Sequence, residues 1–192
     1  MRFIGTIQQL QIQRSPMKTG EGAQRRYDPA PLLVVDGLRL TPMGAFGLTA
    51  DGGEIMDIHH VQHSLSRNTG KNSLSFNFTS HYAKMREQFG EHMADGVAAE
   101  NMLIESDAHY LQPDLGDRLI IQNPQTQDIV VLYNVIDAPP CEPFARFAAR
   151  EPVQGAQLKG VLQFLDEGTR GFYCALTEEE ARIYTGDRVY IE

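Results

Sequence analysis

A strand-to-helix junction around one cysteine decides the fold, and it reads Val135-Ile136-Asp137-Ala138-Pro139-Pro140-Cys141-Glu142-Pro143-Phe144-Ala145-Arg146-Phe147. The paired prolines hold the backbone in an extended turn, which ends the apolar strand before them. Phe144, Phe147 and Ala148 then recur at helical spacing. Pro143 suits the first turn of a helix, where its missing N–H costs little. We therefore predict that a helix begins at Cys141.

The position of Cys141 favours a reactive thiol. Unpaired N–H groups and the positive end of the helix dipole stabilise a thiolate, the form that attacks sulfur or binds a soft metal. Glu142 opposes this effect with a negative charge next to the sulfur. The alternative is that Cys141 is a small buried apolar residue, a common role for cysteine. Cys141 is our candidate catalytic residue and metal ligand.

The composition indicates one ordinary globular domain over residues 1–192. Hydrophobic residues make up 42% of the chain and charged residues 22%, as in typical globular proteins. The formal net charge of −8 argues against a basic surface for nucleic acid or anionic lipid. We therefore expect neither nucleic-acid nor membrane partners, while a local basic pocket for a small anion remains compatible with this charge.

The sequence also predicts a cytoplasmic location. The first residues have no hydrophobic stretch of signal-peptide length, and no apolar run approaches membrane-spanning length. Cys141 and Cys174 are the two cysteines, which is too few for a disulfide framework. A reducing compartment is the expected setting.

Short strands separated by turns predict a mainly β (α+β) fold, a closed or nearly closed antiparallel β-barrel with two or three helices. Residues 3–12 read as a strand, and residues 79–89 read as a helix that ends at Gly90. Residues 32–35 and 38–40 flank Asp36-Gly37, which predicts a hairpin. The glycine-rich residues 44–53 predict little regular structure.

A cluster of histidines is the densest set of potential metal ligands. His59 and His63 are spaced so that both would face one metal on a helix. On a strand, Asp57 and His59 would share one face and His60 the other. No glutamate stands between His59 and His63 to act as the base of a metalloprotease. A hydrogen-bonded histidine pair at a strand end is the structural alternative.

Basic residues beside Gly, Pro or Ser in predicted loops are candidates for anion binding, namely Arg14, Lys18, Arg67 and Arg170. Each alone is expected to be a solvated surface charge. As a set around Cys141 they would form a pocket for phosphate. Nucleotide-binding glycine fingerprints, Walker loops, Gly-x-Ser-x-Gly elbows and paired Cys-x-x-Cys motifs are absent from the sequence.

Seven short motifs in this order resemble the MOSC domain, the module named after the C-terminal domain of molybdenum cofactor sulfurases. They are Gly5 with Ser15-Pro16, Asp57-Ile58-His59-His60, Glu100-Asn101-Met102-Leu103, Gly116-Asp117, Cys141, Arg170-Gly171-Phe172-Tyr173, and Gly186-Asp187-Arg188-Val189. The resemblance spans nearly the whole chain. It implies a strongly bent β-barrel with small peripheral helices and a cysteine, here Cys141, that carries sulfur or coordinates molybdenum.

The resemblance also implies which residues surround the cysteine. The cofactor-binding candidates are then Arg14, Ser15, Lys18, His59, His60, Arg67, Asn101 and Arg170, with the molybdenum cofactor (molybdopterin) as ligand. The chain departs from the family where Asp137-Ala138-Pro139-Pro140 replaces a stretch that often carries an arginine. It looks most like small stand-alone bacterial members, because nothing in it indicates an appended pyridoxal-phosphate or iron–sulfur domain.

Three functions follow as hypotheses. The first is a molybdenum-cofactor-linked protein, acting as a sulfur transferase or as an oxidoreductase that reduces N-hydroxylated compounds. Its partners would be the cofactor and a protein that donates or accepts sulfur. The second is a non-catalytic module that binds the cofactor or a partner protein. The third is a zinc hydrolase built on His59, His60 and His63.

Overall fold

The computed structural model describes residues 1–22, 25–68, 70–177 and 179–192. Its strands in chain order are β1 (Arg2–Gln13), β2 (Lys18–Thr19), β3 (Arg26–Tyr27), β4 (Leu32–Val35), β5 (Gly37–Thr41), β6 (Gly44–Leu48), β7 (Glu54–Met56), β8 (Leu74–Phe78), β9 (Met102–Glu105), β10 (Arg118–Gln122), β11 (Ile129–Asp137), β12 (Phe172–Ala175), β13 (Ala181–Tyr184) and β14 (Arg188–Ile191). The helices are α1 (Thr79–Phe89), α2 (Gln112–Leu115), α3 (Glu142–Ala149) and α4 (Gly155–Leu165).

Within these ranges, seven strands close into a barrel in the order β14-β10-β11-β12-β8-β9-β1, and β1 pairs back to β14. The predicted mainly β fold with a few peripheral helices is confirmed. One detail was wrong, because β8 and β9 pair in parallel while the other barrel strands are antiparallel. A parallel pair needs a long crossover, and α1 with the loop after it supplies that connection.

The hairpin predicted at Asp36-Gly37 is wrong. β4 pairs with β1 at the barrel, whereas β5 joins a second sheet in the order β13-β5-β6-β7. Gly37 lies against the ring of Tyr184, where an added Cβ would stand 2.8 Å from Cδ1. The chain therefore passes from one sheet to the other at this dipeptide instead of folding back on itself.

The glycine-rich stretch expected to be irregular contains β6. Its glycines serve close packing, since a Cβ on Gly44 would lie 2.7 Å from the Cα of His60, and one on Gly47 would lie 2.8 Å from Cγ1 of Val35. Tertiary packing requires glycine at these strand positions despite its low strand propensity.

Two other local predictions are confirmed. α1 spans Thr79–Phe89 and is followed by Gly90, and α3 begins directly after Cys141, which is its N-cap residue. Apolar periodicity located both helices because each buries one face against the barrel.

Buried side chains form one cluster inside the barrel and another beneath the helices. Phe76 and Phe172 stack in the barrel at a ring distance of 5.2 Å. Tyr82, Phe144 and Leu165 are buried in the second cluster, which joins α1, α3 and α4 to the β2–β3 hairpin. In the part of the chain that the structure describes, no helix has the length and apolar character needed to cross a bilayer.

Candidate functional site

A cavity of about 620 Å³ opens between the β2–β3 hairpin, the turns after β7 and the ends of β8 and β12. Its volume is within the range of small-molecule sites. Basic side chains dominate its charged lining, which contains Lys18, Arg25, Arg67 and Arg170. Glu100 is the single acidic residue among the described residues that line it. The cavity thus concentrates positive charge in a chain whose net charge is −8.

The structure brings three of the four predicted basic residues together. Lys18, Arg67 and Arg170 all line the cavity. Arg14 does not, because its exposed side chain reaches the carbonyl oxygen of Pro31. Ser15 also lies outside the lining, and its carbonyl oxygen accepts a hydrogen bond from Gln13 Nε2 at 2.7 Å.

A buried carboxylate fixes the imidazole of His59 in the cavity wall. Asp57 Oδ1 accepts hydrogen bonds from the backbone N–H of His59 at 2.7 Å and from His59 Nδ1 at 2.9 Å. Its Oδ2 accepts the N–H of Gln13 at 2.7 Å. A carboxylate at Nδ1 selects the tautomer with the proton there. His59 lines the cavity, and its Nε2 is therefore the ring nitrogen that can accept a hydrogen bond from a ligand there.

Asn101 helps to fix the Asp57–His59 pair by a hydrogen bond to Asp57. Its Nδ2 donates to Asp57 Oδ2 and to the carbonyl of Gln11, both at 3.3 Å, and its Oδ1 accepts the N–H of Ser75 at 3.1 Å. Asn101 is 3% exposed and is absent from the described cavity lining. Its place is that of a positioning residue, one step behind the residues that face a ligand.

His60 and His63 lie outside the described lining of the cavity. The buried ring of His60 packs on Phe46 at 4.7 Å, and burial lowers its pKa. His63 Nδ1 accepts the N–H of Leu65 at 3.1 Å. The segment is a series of turns, so the helical spacing that would have aligned His59 with His63 does not apply. Among the described residues no three His, Cys, Asp or Glu side chains form a metal-holding group, and the zinc-hydrolase hypothesis loses its ligand set.

Arg170 enters the cavity from the loop between α4 and β12. Its backbone N–H donates to the carbonyl of Leu165 at 3.0 Å, and its Nη2 donates to the carbonyl of Ala98 at 3.2 Å. The guanidinium carbon lies 5.4 Å from the centre of the Phe144 ring, a cation–π distance. Its Nε is buried and has no hydrogen-bond partner among the described residues.

The surroundings of Arg170 keep its guanidinium protonated. Burial lowers the pKa of its guanidinium, but neighbouring acidic groups outweigh that effect and raise the pKa overall; these groups are Tyr173, Tyr27, Cys141 and Glu100. A buried guanidinium with an unpaired N–H can bind a hydrogen-bond acceptor of a ligand strongly.

Gly171, next to Arg170, serves the packing of two barrel strands. At a φ of +115° it lets β12 approach β8, because an added Cβ would lie 2.7 Å from the carbonyl oxygen of Phe76. The glycine thus sets the path of the chain where the loop that carries Arg170 enters β12.

Glu100 is a site residue that the sequence did not single out. It is 3% exposed, and its Oε2 accepts the hydroxyl of Tyr82 at 2.8 Å while Oε1 has no partner in the described structure. Burial raises the pKa of this carboxyl to about 7. Its place in the Glu100-Asn101 motif was the available signal, but only the fold shows that Glu100 lines the cavity and Asn101 does not.

Cys141 lies beside the cavity and is absent from its described lining. The residue is half-buried at the start of α3 and packs on the cluster beneath the helices. Its thiol lies close enough to Arg170 and Tyr27 to contribute to raising the pKa of both groups. Tyr27 is buried, and its hydroxyl donates to the carbonyl of Val97 at 2.6 Å.

A second cavity of about 1000 Å³ lies between the β2–β3 hairpin and α3. Arg25 and Tyr27 line both cavities. The remaining charged lining of the second cavity is mostly basic, with Arg26, Arg146 and Arg150 against Glu151. Arg25 was missed at the sequence level because it stands between other charged and polar residues in a loop.

Several solved structures share the fold at low sequence identity. The YuaD protein from Bacillus subtilis superposes with a TM-score of 0.58 at 14% identity, over 98% of this chain and 96% of that chain. YiiM from Escherichia coli gives a TM-score of 0.51 at 14% identity, over 100% of this chain and 70% of that chain. YiiM from Geobacillus stearothermophilus gives 0.50 at 14% identity, over 97% and 74%. No protein-family model and no curated protein matches the sequence. At this identity the likeness shows the fold alone.

Proposed function

We propose that this chain is a MOSC-type protein that binds a phosphorylated molybdenum–pterin cofactor in the 620 Å³ cavity. Cys141 serves this cofactor as a sulfur carrier or as a metal ligand. The observation that carries the proposal is the basic lining of the cavity within an acidic chain, with the Arg170 guanidinium buried in its wall. A buried charge with an unpaired donor is costly without an anionic or acceptor partner, and a ligand would supply one.

The motifs of the MOSC resemblance support this reading because they converge. Pro16, His59, Glu100, Arg170 and Tyr173 come from four stretches that are far apart in the chain, yet all line this one cavity. The barrel shared with YuaD and YiiM agrees with the fold that the resemblance implies.

The residues present fit such a cofactor. Lys18, Arg25 and Arg67 would hold its phosphate, since none of them pairs with an acidic side chain among the described residues. His59, fixed by Asp57, would contact it through Nε2. When bound, the cofactor would supply the molybdenum centre for redox or sulfur chemistry, and Cys141 would supply a soft thiolate near Arg170.

The binding step is tested by comparing two arginines. Arg170→Lys should weaken binding of the molybdenum cofactor about tenfold, equivalent to about 1.4 kcal/mol. A lysine cannot reproduce the planar set of N–H donors of the guanidinium. Arg188→Lys is the matched control, since Arg188 is exposed on β14 and outside the cavity lining, and it should change affinity less than about threefold. Calorimetric titration with cofactor released from a molybdoenzyme measures both. Equal losses, or no binding by the wild type, would contradict the proposal.

The sulfur-carrier role needs a separate measurement. The Cys141 thiolate would attack the outer sulfur of a donor persulfide, so that the donor leaves as a thiolate and Cys141 becomes the persulfide. Mass spectrometry after incubation with a persulfide donor should show one added sulfur in the wild type and in Cys174→Ser, and none in Cys141→Ser. Cofactor binding without sulfur uptake, and with no effect of Cys141→Ser on affinity, would favour the non-catalytic binding module.

A further inference from the structure

Two buried polar atoms in the cavity wall have no hydrogen-bond partner among the described residues. They are Oε1 of Glu100, an acceptor when the carboxyl is ionised, and Nε of Arg170, a donor. A buried polar atom left unpaired costs about 1–3 kcal/mol. An acceptor and a donor that remain unpaired in the same wall therefore indicate a ligand group that pairs with both.

A single hydrogen-bond network fixes the two side chains. The Tyr82 hydroxyl donates to Glu100 Oε2 at 2.8 Å and accepts the N–H of Ala98 at 2.9 Å. The carbonyl of Ala98 accepts Arg170 Nη2 at 3.2 Å. Gln11 holds the backbone of this segment by donating to the Glu100 carbonyl at 2.8 Å. Oε1 and Nε are thus presented by a rigid network, as a preorganised binding site requires.

Phosphate is a poor match for this part of the wall. A phosphate oxygen would accept from Arg170 but would meet the Glu100 carboxylate with like charge. The complementary group has an N–H that donates to Glu100 and, next to it, a carbonyl oxygen that accepts from Arg170. That pairing is the lactam edge of pterins, purinones and pyrimidinones.

We infer that Glu100 and Arg170 form a specificity site for the lactam edge of a nitrogen heterocycle, at the inner end of the cavity. This inference rests on the proposed function, because it assigns the ring of the ligand to these two residues and the phosphate to the other cations. The solvent exposure of these residues agrees with a phosphate near the opening and a ring deeper in the cavity. Arg67 is exposed and Lys18 half-buried, whereas Glu100 is 3% exposed.

Three probes separate the ring site from the phosphate site: pterin without phosphate, inorganic pyrophosphate, and diaminopteridine, in which an amino group replaces the ring carbonyl. In fluorescence and calorimetric titrations the wild type should bind pterin at least about tenfold more tightly than diaminopteridine, because the latter leaves Arg170 Nε unpaired. This comparison uses the unaltered protein and does not depend on the folding of any variant.

Glu100→Gln provides the second arm of the experiment. Tyr82 needs an acceptor, so the Gln carbonyl should stay on Tyr82 and turn the amide N–H₂ toward the ligand, where it opposes the ring N–H. Affinity for pterin should fall at least about tenfold, and affinity for pyrophosphate should stay within about twofold. The exposed Glu105→Gln is the matched control and should change neither.

The outcomes distinguish the two proposals. Unchanged pterin binding in Glu100→Gln, or equal binding of pterin and diaminopteridine by the wild type, overturns this inference. If pyrophosphate still binds in that case, the proposed function stands. If pterin binds in a Glu100-dependent way and neither pyrophosphate nor the molybdenum cofactor binds, the ring site stands and the proposed function fails.

Discussion

Replacing Glu100 by Gln should remove one contribution to the stability of the protein that declines as the pH rises. In the folded chain burial raises the pKa of this carboxyl from 4.5 to about 7. The folded state therefore holds the proton more tightly than the unfolded state, and the contribution of Glu100 to stability is complete below pH 4.5 and declines as pH rises through about 7. The total decline corresponds to about 3 kcal/mol, and most of it falls between pH 5 and pH 8.

Other groups titrate in the same range, so the useful quantity is the difference between variant and wild type. Burial lowers the pKa of His81 to about 3, so the contribution of His81 to stability increases as the pH rises toward 6.5. This change with pH is opposite in sign to that of Glu100. Because His81 is present in both proteins, its effect cancels in the difference. The free energy of unfolding of Glu100→Gln minus that of wild type should then rise by about 2–3 kcal/mol from pH 5 to pH 8.

Urea denaturation followed by circular dichroism, at half-unit steps of pH, measures this difference. Glu105→Gln removes a carboxyl that solvent reaches, and it should not reproduce the rise. A difference for Glu100→Gln that stays flat within about 0.5 kcal/mol across the range would refute the reasoning, because it would mean that burial does not perturb this carboxyl in the folded state.

Two further predictions concern the thiols and the backbone beside Arg170. Iodoacetamide at neutral pH should label Cys141 at least about tenfold faster than Cys174, because Cys174 is 1% exposed and burial raises its pKa. Peptide mapping by mass spectrometry measures this, and equal rates in the native protein would remove the reactive role of Cys141. Gly171→Ala should destabilise the fold by about 2–4 kcal/mol, and Gly116→Ala, also at positive φ but with open space around it, by about 1 kcal/mol. Thermal denaturation tests this, and equal losses would show that contact with β8 is not what requires glycine at position 171.

Local periodicity determined much of the framework. Strand β1 and helices α1 and α3 follow the apolar spacing, and the start of α3 at Cys141 follows from the prolines around it. These features depend on neighbours within a few residues, so a single sequence contains the information. The same local signal was misleading at Asp36-Gly37, where the turn dipeptide marks a passage between sheets and not a hairpin.

The site was decided by contacts between distant parts of the chain. The sequence identified Arg170, Lys18, His59 and Cys141 by residue type and motif. It could not show that His60 packs on Phe46 outside the cavity lining, because both strand and helix periodicity fail in a series of turns. It also could not show that Arg170 reaches Ala98, 72 residues earlier in the chain. Residue types and local spacing are written in the sequence, whereas the unpaired Oε1 of Glu100 and Nε of Arg170 exist only once barrel closure buries both side chains in one wall.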